Sequence, residues 1–195
     1  MDRVTLIKRC QLGDRESFEQ LYRIYSKNAM GTAYLIAGHK GIAEDIVQEA
    51  FFQCYREIKK LKEPSAFDVW FYKLLIRLAW KMSAKHQNIP FIEKGIHRDL
   101  HCDGTSGTTE DLIANRLLIH EAIEKLSPPL KTVIILYYFN DMTIKQISMV
   151  LGCFQGTVKS RLHNAKKLLQ KELCEILDED TIKMIYRGKE CRMND

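Results

Sequence analysis

The chain has 195 residues, of which 46% are apolar and 28% are charged, and its formal net charge is +5. This composition excludes a generally disordered chain, and the modest positive charge is compatible with nucleic-acid binding without requiring it. The longest apolar run, Val133 to Phe139, is too short to span a bilayer, and the start of the chain lacks the apolar core of a signal peptide, so a cytoplasmic protein is expected.

Helical patterns dominate the first half of the chain. An amphipathic segment from Val4 to Cys10 is followed by Asp14, a residue suited to cap the start of a second helix. After Gly41 a long helix is predicted to run to about Lys60, and a third strong helical pattern begins at Ala66. The sequence therefore predicts an all-α first module.

A polar and acidic group lies on the long helix. Asp45, Gln48 and Glu49 are three and four residues apart, so they share one face, beside Phe51 and Phe52. The spacing alone leaves two interpretations open, a protein-docking surface and an ordinary solvated face, and the solvated face is the more common of the two.

The first module ends in a basic stretch, and the sign of the charge then changes. Between Trp70 and Arg98 there are six Lys or Arg residues and a single acid, Glu93, which predicts a basic, aromatic surface. Residues 99–111 then carry four acids, no Lys or Arg and a Gly/Ser/Thr-rich centre, which is typical of a flexible linker.

An alternative metal or redox site is offered by His97, His101 and Cys102, although an incidental group in a loop is the more common explanation.

The last third of the chain predicts a helix-turn-helix. Thr143 and Gln146 have the spacing of a capping box, and Gly152 suits the turn between two helices. The second helix has a helical stripe of apolar residues on one side and a row of cations on the other, so it is expected to read the major groove with its N-terminal half. The stripe consists of Val158, Leu162, Ala165 and Leu169. A helical hairpin with a lysine-rich solvated face remains an alternative, and Phe154 stands where a Ser or Asp cap would be expected.

No enzymatic apparatus is evident in the sequence. There is no Walker loop and no nucleophile with a base at a motif spacing, and no cofactor or metal is expected. The six cysteines are scattered without a C-x-x-C pair, so reduced thiols are expected.

The ordered set of motifs resembles the extracytoplasmic-function sigma factors of the sigma-70 family. The motifs are Asp-x-x-Gln-Glu-x-Phe at 45–51, Trp70-Phe71-Tyr72-Lys73, the flexible linker, Leu126-Ser127-Pro128-Pro129 and the run GTVKSRLH at 156–163. The resemblance covers roughly residues 10–177. It implies two small helical domains, a sigma-two-like domain at 1–98 and a sigma-four-like helix-turn-helix domain at 112–177. The acidic linker at 99–111 joins them, and a C-terminal tail follows at 178–195.

The resemblance also implies partners and sites. The expected partners are core RNA polymerase, through its β′ coiled coil and β flap, promoter DNA, and an anti-sigma factor. The residues that match the polymerase contact are Asp45, Gln48, Glu49 and Phe51. Those that fall in the helix for minus-ten recognition and melting are Trp70, Tyr72, Lys73, Arg77 and Lys81. Those that match the minus-thirty-five recognition helix are Gln155, Thr157, Lys159, Ser160, Arg161, His163 and Lys166.

Two points remain open at this stage. The chain departs from the family at Leu75-Ile76-Arg77 and Lys81, so the minus-ten sequence that it would recognise does not follow from the resemblance. A stand-alone helix-turn-helix regulator with an N-terminal sensing or dimerisation domain is the alternative function.

Overall fold

The structure, a computed structural model, describes residues 2–85 and 118–174. Several predictions lie outside these residues: the acidic linker at 99–111, the tail at 178–195, and the group formed by His97, His101 and Cys102. Every regular element in the described part of the chain is helical, which confirms the predicted all-α class.

Residues 2–85 of the first module form four α-helices. They are α1 (Arg3–Gln11), α2 (Arg15–Ala37), α3 (Lys40–Glu57) and α4 (Phe67–Lys85), with short 3-10 turns at Ile58–Lys60 and Pro64–Ala66 between the last two. Asp14 caps α2 as predicted, since its carboxylate accepts hydrogen bonds from the amides of Glu16 at 3.1 Å and Ser17 at 3.2 Å. The predicted long helix is present, but its last turn tightens into the 3-10 form.

Aromatic rings fill the core of the first module. Phe71 of α4 is fully buried, and its ring centroid lies 5.0 Å from that of Phe51 and 5.7 Å from those of Tyr25 and Phe67. Because offset and edge-on ring pairs add to the free energy gained from burial, this cluster fixes how α2, α3 and α4 pack. The hydroxyl of Tyr25 also donates to Asp68, which ties α2 to the first turn of α4.

The second module begins with a helical segment at 118–124. It continues with α5 (Pro128–Ile134), a π-helical turn (Ile135–Phe139), α6 (Ile144–Leu151) and α7 (Gln155–Cys174). Ser127 and the two prolines start α5 as the sequence predicts, because proline at the first helical position loses no hydrogen bond.

The predicted helix-turn-helix is confirmed in its details. Thr143 and Gln146 form both bonds of the capping box at the start of α6. Gly152 ends α6 in the left-handed region with φ of 64°, a conformation that glycine adopts without steric cost. The predicted stripe of α7 is buried against α5 and α6.

The two modules pack against each other. Helix α4 lies against α6, and α2 contacts both α5 and the π-helical turn. Within residues 2–85 and 118–174, no helix is both long and apolar enough to cross a membrane, and His, Cys, Asp and Glu form no cluster of three or more that could hold a metal ion.

Candidate protein and nucleic-acid interfaces

An acidic and aromatic surface follows the outer side of α3. Asp45 and Gln48 are exposed and make no hydrogen bond or ion pair within the described part of the chain, whereas Glu49 accepts a hydrogen bond of 2.6 Å from the Nε2 atom of Gln53. Phe52 and Tyr55 follow on the same side and are exposed. We call these five residues the α3 surface: Asp45, Gln48, Glu49, Phe52 and Tyr55.

Phe51 is not part of this surface. Its side chain is only 5% exposed, and its ring packs 4.7 Å from that of Tyr22 and 5.0 Å from that of Phe71. This corrects the expectation that Phe51 touches a partner directly. The exposed ring belongs to Phe52, which is 55% exposed and has the guanidinium carbon of Arg56 5.6 Å from its centroid.

A row of cations follows the outer side of α4. Lys73, Arg77 and Lys81 are spaced four residues apart, are all exposed, and form no ion pair in the described part of the chain. Trp80 lies beside them, is 39% exposed, and was missed among the residues predicted from the sequence. We call this group the α4 stripe: Lys73, Arg77, Trp80 and Lys81.

The two aromatic residues predicted to contact DNA from α4 are less accessible. Trp70 is half-buried, with its ring 5.8 Å from that of Phe67. Tyr72 is only 5% exposed, and its hydroxyl accepts a hydrogen bond of 3.0 Å from the Nδ2 atom of Asn140 in the second module. Burial, opposed by this hydrogen bond, raises the pKa of Tyr72 to about 12. In this arrangement Tyr72 is therefore a buried contact between modules rather than a free stacking surface, which corrects the expectation of an exposed ring.

The outer side of α7 carries most of the residues predicted for the recognition helix. Gln155, Lys159, Ser160 and His163 are exposed, while Thr157 and Arg161 flank the buried stripe and are half-buried. We call these six residues the α7 surface. Neither Lys159 nor Arg161 forms an ion pair with any residue that the structure describes.

Lys166 is placed differently from the other predicted residues. It is half-buried, and its Nζ atom lies 5.7 Å from the centroid of the Tyr138 ring at the end of the π-helical turn. The exposed side of α7 instead continues through Asn164, which the sequence pattern places on the outer side but not among the site residues, and Lys167, which the sequence prediction did not include. The periodicity of the helix would have indicated both, because they lie opposite the stripe of Leu162 and Ala165.

These three surfaces differ in the chemistry that they offer. The α4 stripe and the α7 surface present cations that no neighbouring acid neutralises, so they are available to phosphates. An indole beside such a row of cations also provides a face on which an unpaired base can stack. The α3 surface instead presents carboxylates and rings, a combination that suits a basic protein partner and not DNA.

Two family models match separate parts of the chain. The model described as Sigma-70 region 2 matches residues 21–88, and the model described as Sigma-70, region 4 matches residues 116–169. The first range holds the α3 surface and the α4 stripe, and the second holds the helix-turn-helix. Each matched range thus falls within one of the two modules.

Similar proteins have been characterised in bacteria. The RNA polymerase sigma factor SigV of Bacillus subtilis (strain 168) is 30% identical over 168 residues, which cover 86% of this chain and 91% of SigV. The ECF RNA polymerase sigma factor SigW of the same organism is 28% identical over 185 residues, which cover 87% of this chain and 96% of SigW.

Solved structures share the fold at lower sequence identity. CnrH, solved in complex with the cytosolic domain of CnrY, superposes with a TM-score of 0.69 at 16% identity over 90% of this chain and 99% of CnrH. RpoE from Bartonella quintana, solved in complex with the anti-sigma factor NepR, superposes with a TM-score of 0.65 at 18% identity over 83% of this chain and 99% of RpoE. The similarity to these two structures shows only that the helices are arranged in the same way.

Proposed function

Because the chain belongs to the extracytoplasmic-function sigma factors of the sigma-70 family, we propose that it docks on core RNA polymerase through the α3 surface and contacts promoter DNA through α4 and α7. A sigma factor directs transcription initiation, so the stand-alone regulator considered from the sequence is set aside. The polymerase supplies the chemistry of RNA synthesis, and this chain supplies selectivity. The domain boundaries predicted from the sequence, 1–98 and 112–177, are part of the proposal.

The α3 surface carries the proposal for polymerase docking. The exposed side chains of Asp45 and Gln48 make no hydrogen bond or ion pair within the described part of the chain, and the only ring or cation contact of Phe52 in that part is with the guanidinium of Arg56. The ring of Tyr55 is 53% exposed although one edge packs against Phe18, with the ring centroids 4.9 Å apart. Exposed aromatic side chains beside charged groups are typical of residues that dominate the free energy of binding at protein interfaces. The β′ coiled coil of the polymerase is the expected partner of Asp45, Gln48, Glu49 and Phe52.

The α4 stripe supports a role in opening and holding a DNA strand at the minus-ten element. Lys73, Arg77 and Lys81 can hold the phosphate backbone of a separated strand, and the half-buried ring of Trp70 and the partly exposed ring of Trp80 lie near them on α4. Phosphate contacts give affinity without sequence information, so this stripe explains strand capture but not the choice of sequence.

The α7 surface supports recognition of the minus-thirty-five element in the major groove. The second helix of a helix-turn-helix contacts base edges with its N-terminal residues, which here are Gln155, Thr157, Lys159 and Ser160. Lys159 and Arg161 are suited to phosphates or to guanine edges. Binding of the β flap is also proposed for this module, on the basis of family membership alone.

An anti-sigma factor is a further expected partner. RpoE from Bartonella quintana, which shares this fold, was solved with the anti-sigma factor NepR, and CnrH was solved with the cytosolic domain of CnrY. A regulator of this kind would have to cover the α3 surface or the DNA-reading helices in order to silence the factor.

A matched pair of substitutions tests the docking surface. Gln48→Arg places a cation in the centre of the α3 surface, whereas Gln20→Arg makes the same substitution at an exposed position of α2. We expect Gln48→Arg to weaken binding of core polymerase about tenfold or more, because it opposes the charge that the partner recognises. Gln20→Arg is expected to bind like the unmodified protein.

Run-off transcription on genomic fragments with core polymerase then reports the function itself. The unmodified factor and Gln20→Arg should initiate at the same start sites, and Gln48→Arg should lose this activity in parallel with its loss of polymerase binding. Equal binding and equal transcription by both variants would refute docking through the α3 surface. Transcription that is no different with the unmodified factor than without it would refute the assigned function.

A further inference from the structure

One exposed ring belongs neither to the core nor to the three surfaces described above. Phe154 immediately precedes α7 and is 87% exposed, compared with 55% for Phe52 of the α3 surface. Its ring makes no ring or cation contact with any residue that the structure describes. Because an aromatic side chain stabilises a fold through the apolar surface that it buries, this ring contributes almost nothing to the stability of the chain.

The position of Phe154 also makes it unfavourable for the helix that follows. Phe154 is the N-cap residue of α7, since its carbonyl accepts a hydrogen bond of 3.1 Å from the amide of Val158. A Ser, Thr, Asp or Asn side chain at an N-cap accepts a further bond from a free amide of the first turn, which a hydrocarbon ring cannot do. An apolar N-cap residue typically lowers the folding equilibrium constant about fivefold relative to such a cap. A residue that disfavours its own fold and buries no surface in return is typical of a binding site.

The surroundings of Phe154 indicate what its ring contacts. Residues 153–171 contain five Lys or Arg and no Asp or Glu, and Gln155 and Lys159 of the α7 surface follow closely and are exposed. The second helix of a helix-turn-helix enters the major groove with its N-terminal end, so a side chain at the N-cap lies beside the base edges. The charge of this region therefore favours DNA as the partner of the ring.

The backbone on both sides of Phe154 leaves room for a close approach. Gly152 and Gly156 have no side chain, and a Cβ atom at either position would meet no atom within 4 Å. The two neighbouring turns of backbone thus face open space, and no side chain at these positions holds the ring away from the groove.

The chemistry of a phenyl ring limits what it can recognise in the major groove. A phenyl ring neither donates nor accepts an ordinary hydrogen bond, so it distinguishes bases by apolar contact. Among the four bases, only thymine presents a methyl group at its edge in this groove; the other groups there are hydrogen-bond donors and acceptors. Burial of one methyl group corresponds to about fourfold in affinity.

From these observations we propose that Phe154 is a specificity-determining residue of the minus-thirty-five contact, and that its ring packs against the C5-methyl group of a thymine in the major groove. The proposal rests on the proposed sigma-factor function. The polar residues of the α7 surface provide hydrogen bonds to other base edges, and Phe154 adds a preference for thymine at one position.

Replacement of thymine by deoxyuridine tests this contact, because it removes the methyl group and keeps the base pair. The probe is a promoter fragment upstream of a start site found by the run-off assay, and each thymine of its minus-thirty-five element is replaced in turn, on either strand. We expect the holoenzyme formed with the unmodified factor to bind about fourfold less tightly when one particular thymine is replaced. With Phe154→Ala the same replacement should leave the affinity unchanged.

Two further variants serve as controls for this coupling. Phe154→Leu keeps an apolar side chain and should retain about half of the effect, a roughly twofold loss on removal of the methyl group. Leu12→Ala removes a side chain of α1 that is 85% exposed, and it should show the full fourfold effect of the unmodified factor.

Thermal unfolding of Phe154→Ser separates a binding role from a structural one. Serine can cap α7, so the melting temperature should rise by about 2–4 °C. The same variant should lose the dependence on the methyl group. A substitution that stabilises the chain and abolishes discrimination between thymine and deoxyuridine cannot act by unfolding the helix-turn-helix.

The outcomes distinguish this contact from the function on which it rests. The proposal is overturned if no single thymine shows the effect, if the element contains no thymine, or if Phe154→Ala keeps the full effect. Loss of core-polymerase binding by Phe154→Ala with unchanged dependence on the methyl group would show a protein contact instead. If the unmodified factor initiates at no promoter, the sigma-factor function fails, and a lower melting temperature of Phe154→Ser would independently show that the ring serves the fold.

Discussion

Two adjacent phenylalanines on α3 provide the sharpest test of how the first module divides its side chains between stability and binding. Phe51 is 5% exposed and its ring contacts those of Tyr22 and Phe71, whereas Phe52 is 55% exposed and its ring lies near Arg56. The perturbation is the same in both cases, replacement of the phenylalanine by alanine.

The expected magnitudes follow from these surroundings. Phe51→Ala removes a buried ring and leaves a cavity, which typically costs about 3–5 kcal/mol of the free energy of unfolding. At about 2–4 °C per kcal/mol for a chain of this size, the melting temperature should fall by about 6–20 °C. Phe52→Ala removes an exposed ring and one weak cation–π contact, so the free energy of unfolding should change by less than about 1 kcal/mol.

The two substitutions should affect binding of core polymerase in the opposite order to their effect on stability. Phe52→Ala is expected to weaken the complex by about 1–2 kcal/mol, or about fivefold to thirtyfold, because an exposed aromatic ring in the centre of a docking surface is a typical binding hot spot. Phe51→Ala, measured at a temperature where it is still folded, should bind with a smaller loss. The assays are urea unfolding followed by circular dichroism and a polymerase competition titration. Equal destabilisation by both substitutions would refute the placement of Phe51 in the core and Phe52 on the surface. Normal polymerase binding by Phe52→Ala would refute the proposal that its ring contacts the polymerase.

The remaining predictions concern DNA affinity, helix ends and pH. Affinity of the polymerase holoenzyme for a promoter fragment should be measured at several salt concentrations. Because Lys159→Ala removes one phosphate contact, the slope of log affinity against log salt concentration should become smaller in magnitude by about 1. Gly152→Ala should destabilise the fold by about 1–2 kcal/mol in urea unfolding, because alanine must adopt φ of 64° there. Its Cβ would meet no atom within 4 Å, so the cost comes from the backbone conformation and not from a clash. Gly156→Ala within α7 is the control and should not destabilise the fold. Hydrogen bonds from the Ser17 amide and hydroxyl hold the pKa of Asp14 below its usual range, so its stabilising effect is present above about pH 4 and is lost as the pH falls through the lower folded value. Asp14→Asn should therefore flatten the acid side of the stability curve. Burial lowers the pKa of His120 below 6.5, so stability should fall as the pH drops below the unfolded value, and His120→Gln should remove that dependence in thermal melts between about pH 7 and 5.

Local signals in the sequence were sufficient for the helix ends and for the helix-turn-helix. The Asp14 cap, the capping box of Thr143 and Gln146, and the turn at Gly152 each involve residues a few positions apart, so their physics is readable from the chain. Phe51 was also predictable in principle. It lies four residues after Val47 and three before Cys54, which are both apolar, so helical periodicity alone places its ring in the core. The motif that it completes led instead to the expectation of a partner contact.

The contacts between the modules were beyond such signals. Tyr72 is bonded to Asn140, which lies 68 positions away in sequence, and nothing local to either residue indicates the pair. The π-helical turn that positions Asn140 likewise has no pattern that would separate it from the end of an ordinary α-helix. A sequence motif predicts which helix contacts the DNA strand, but the fold decides which side of that helix is accessible.

Helix α4 shows why these two kinds of information have to be combined. One side, with Phe71 and Leu75, is buried in the aromatic core; a second, with Lys73 and Arg77, is exposed; and a third, with Tyr72 at its start, faces the second module. Since a helix turns by about 100° per residue, each step along α4 changes the side and therefore the consequence of a substitution. We expect loss of a ring from the first side to cost stability, loss of a cation from the second to cost DNA affinity, and loss of a bond from the third to weaken the contact with the second module. A defect in transcription caused by a substitution in α4 can therefore be assigned to one of these three causes only if unfolding, DNA affinity and the contact between the modules are measured on the same variant.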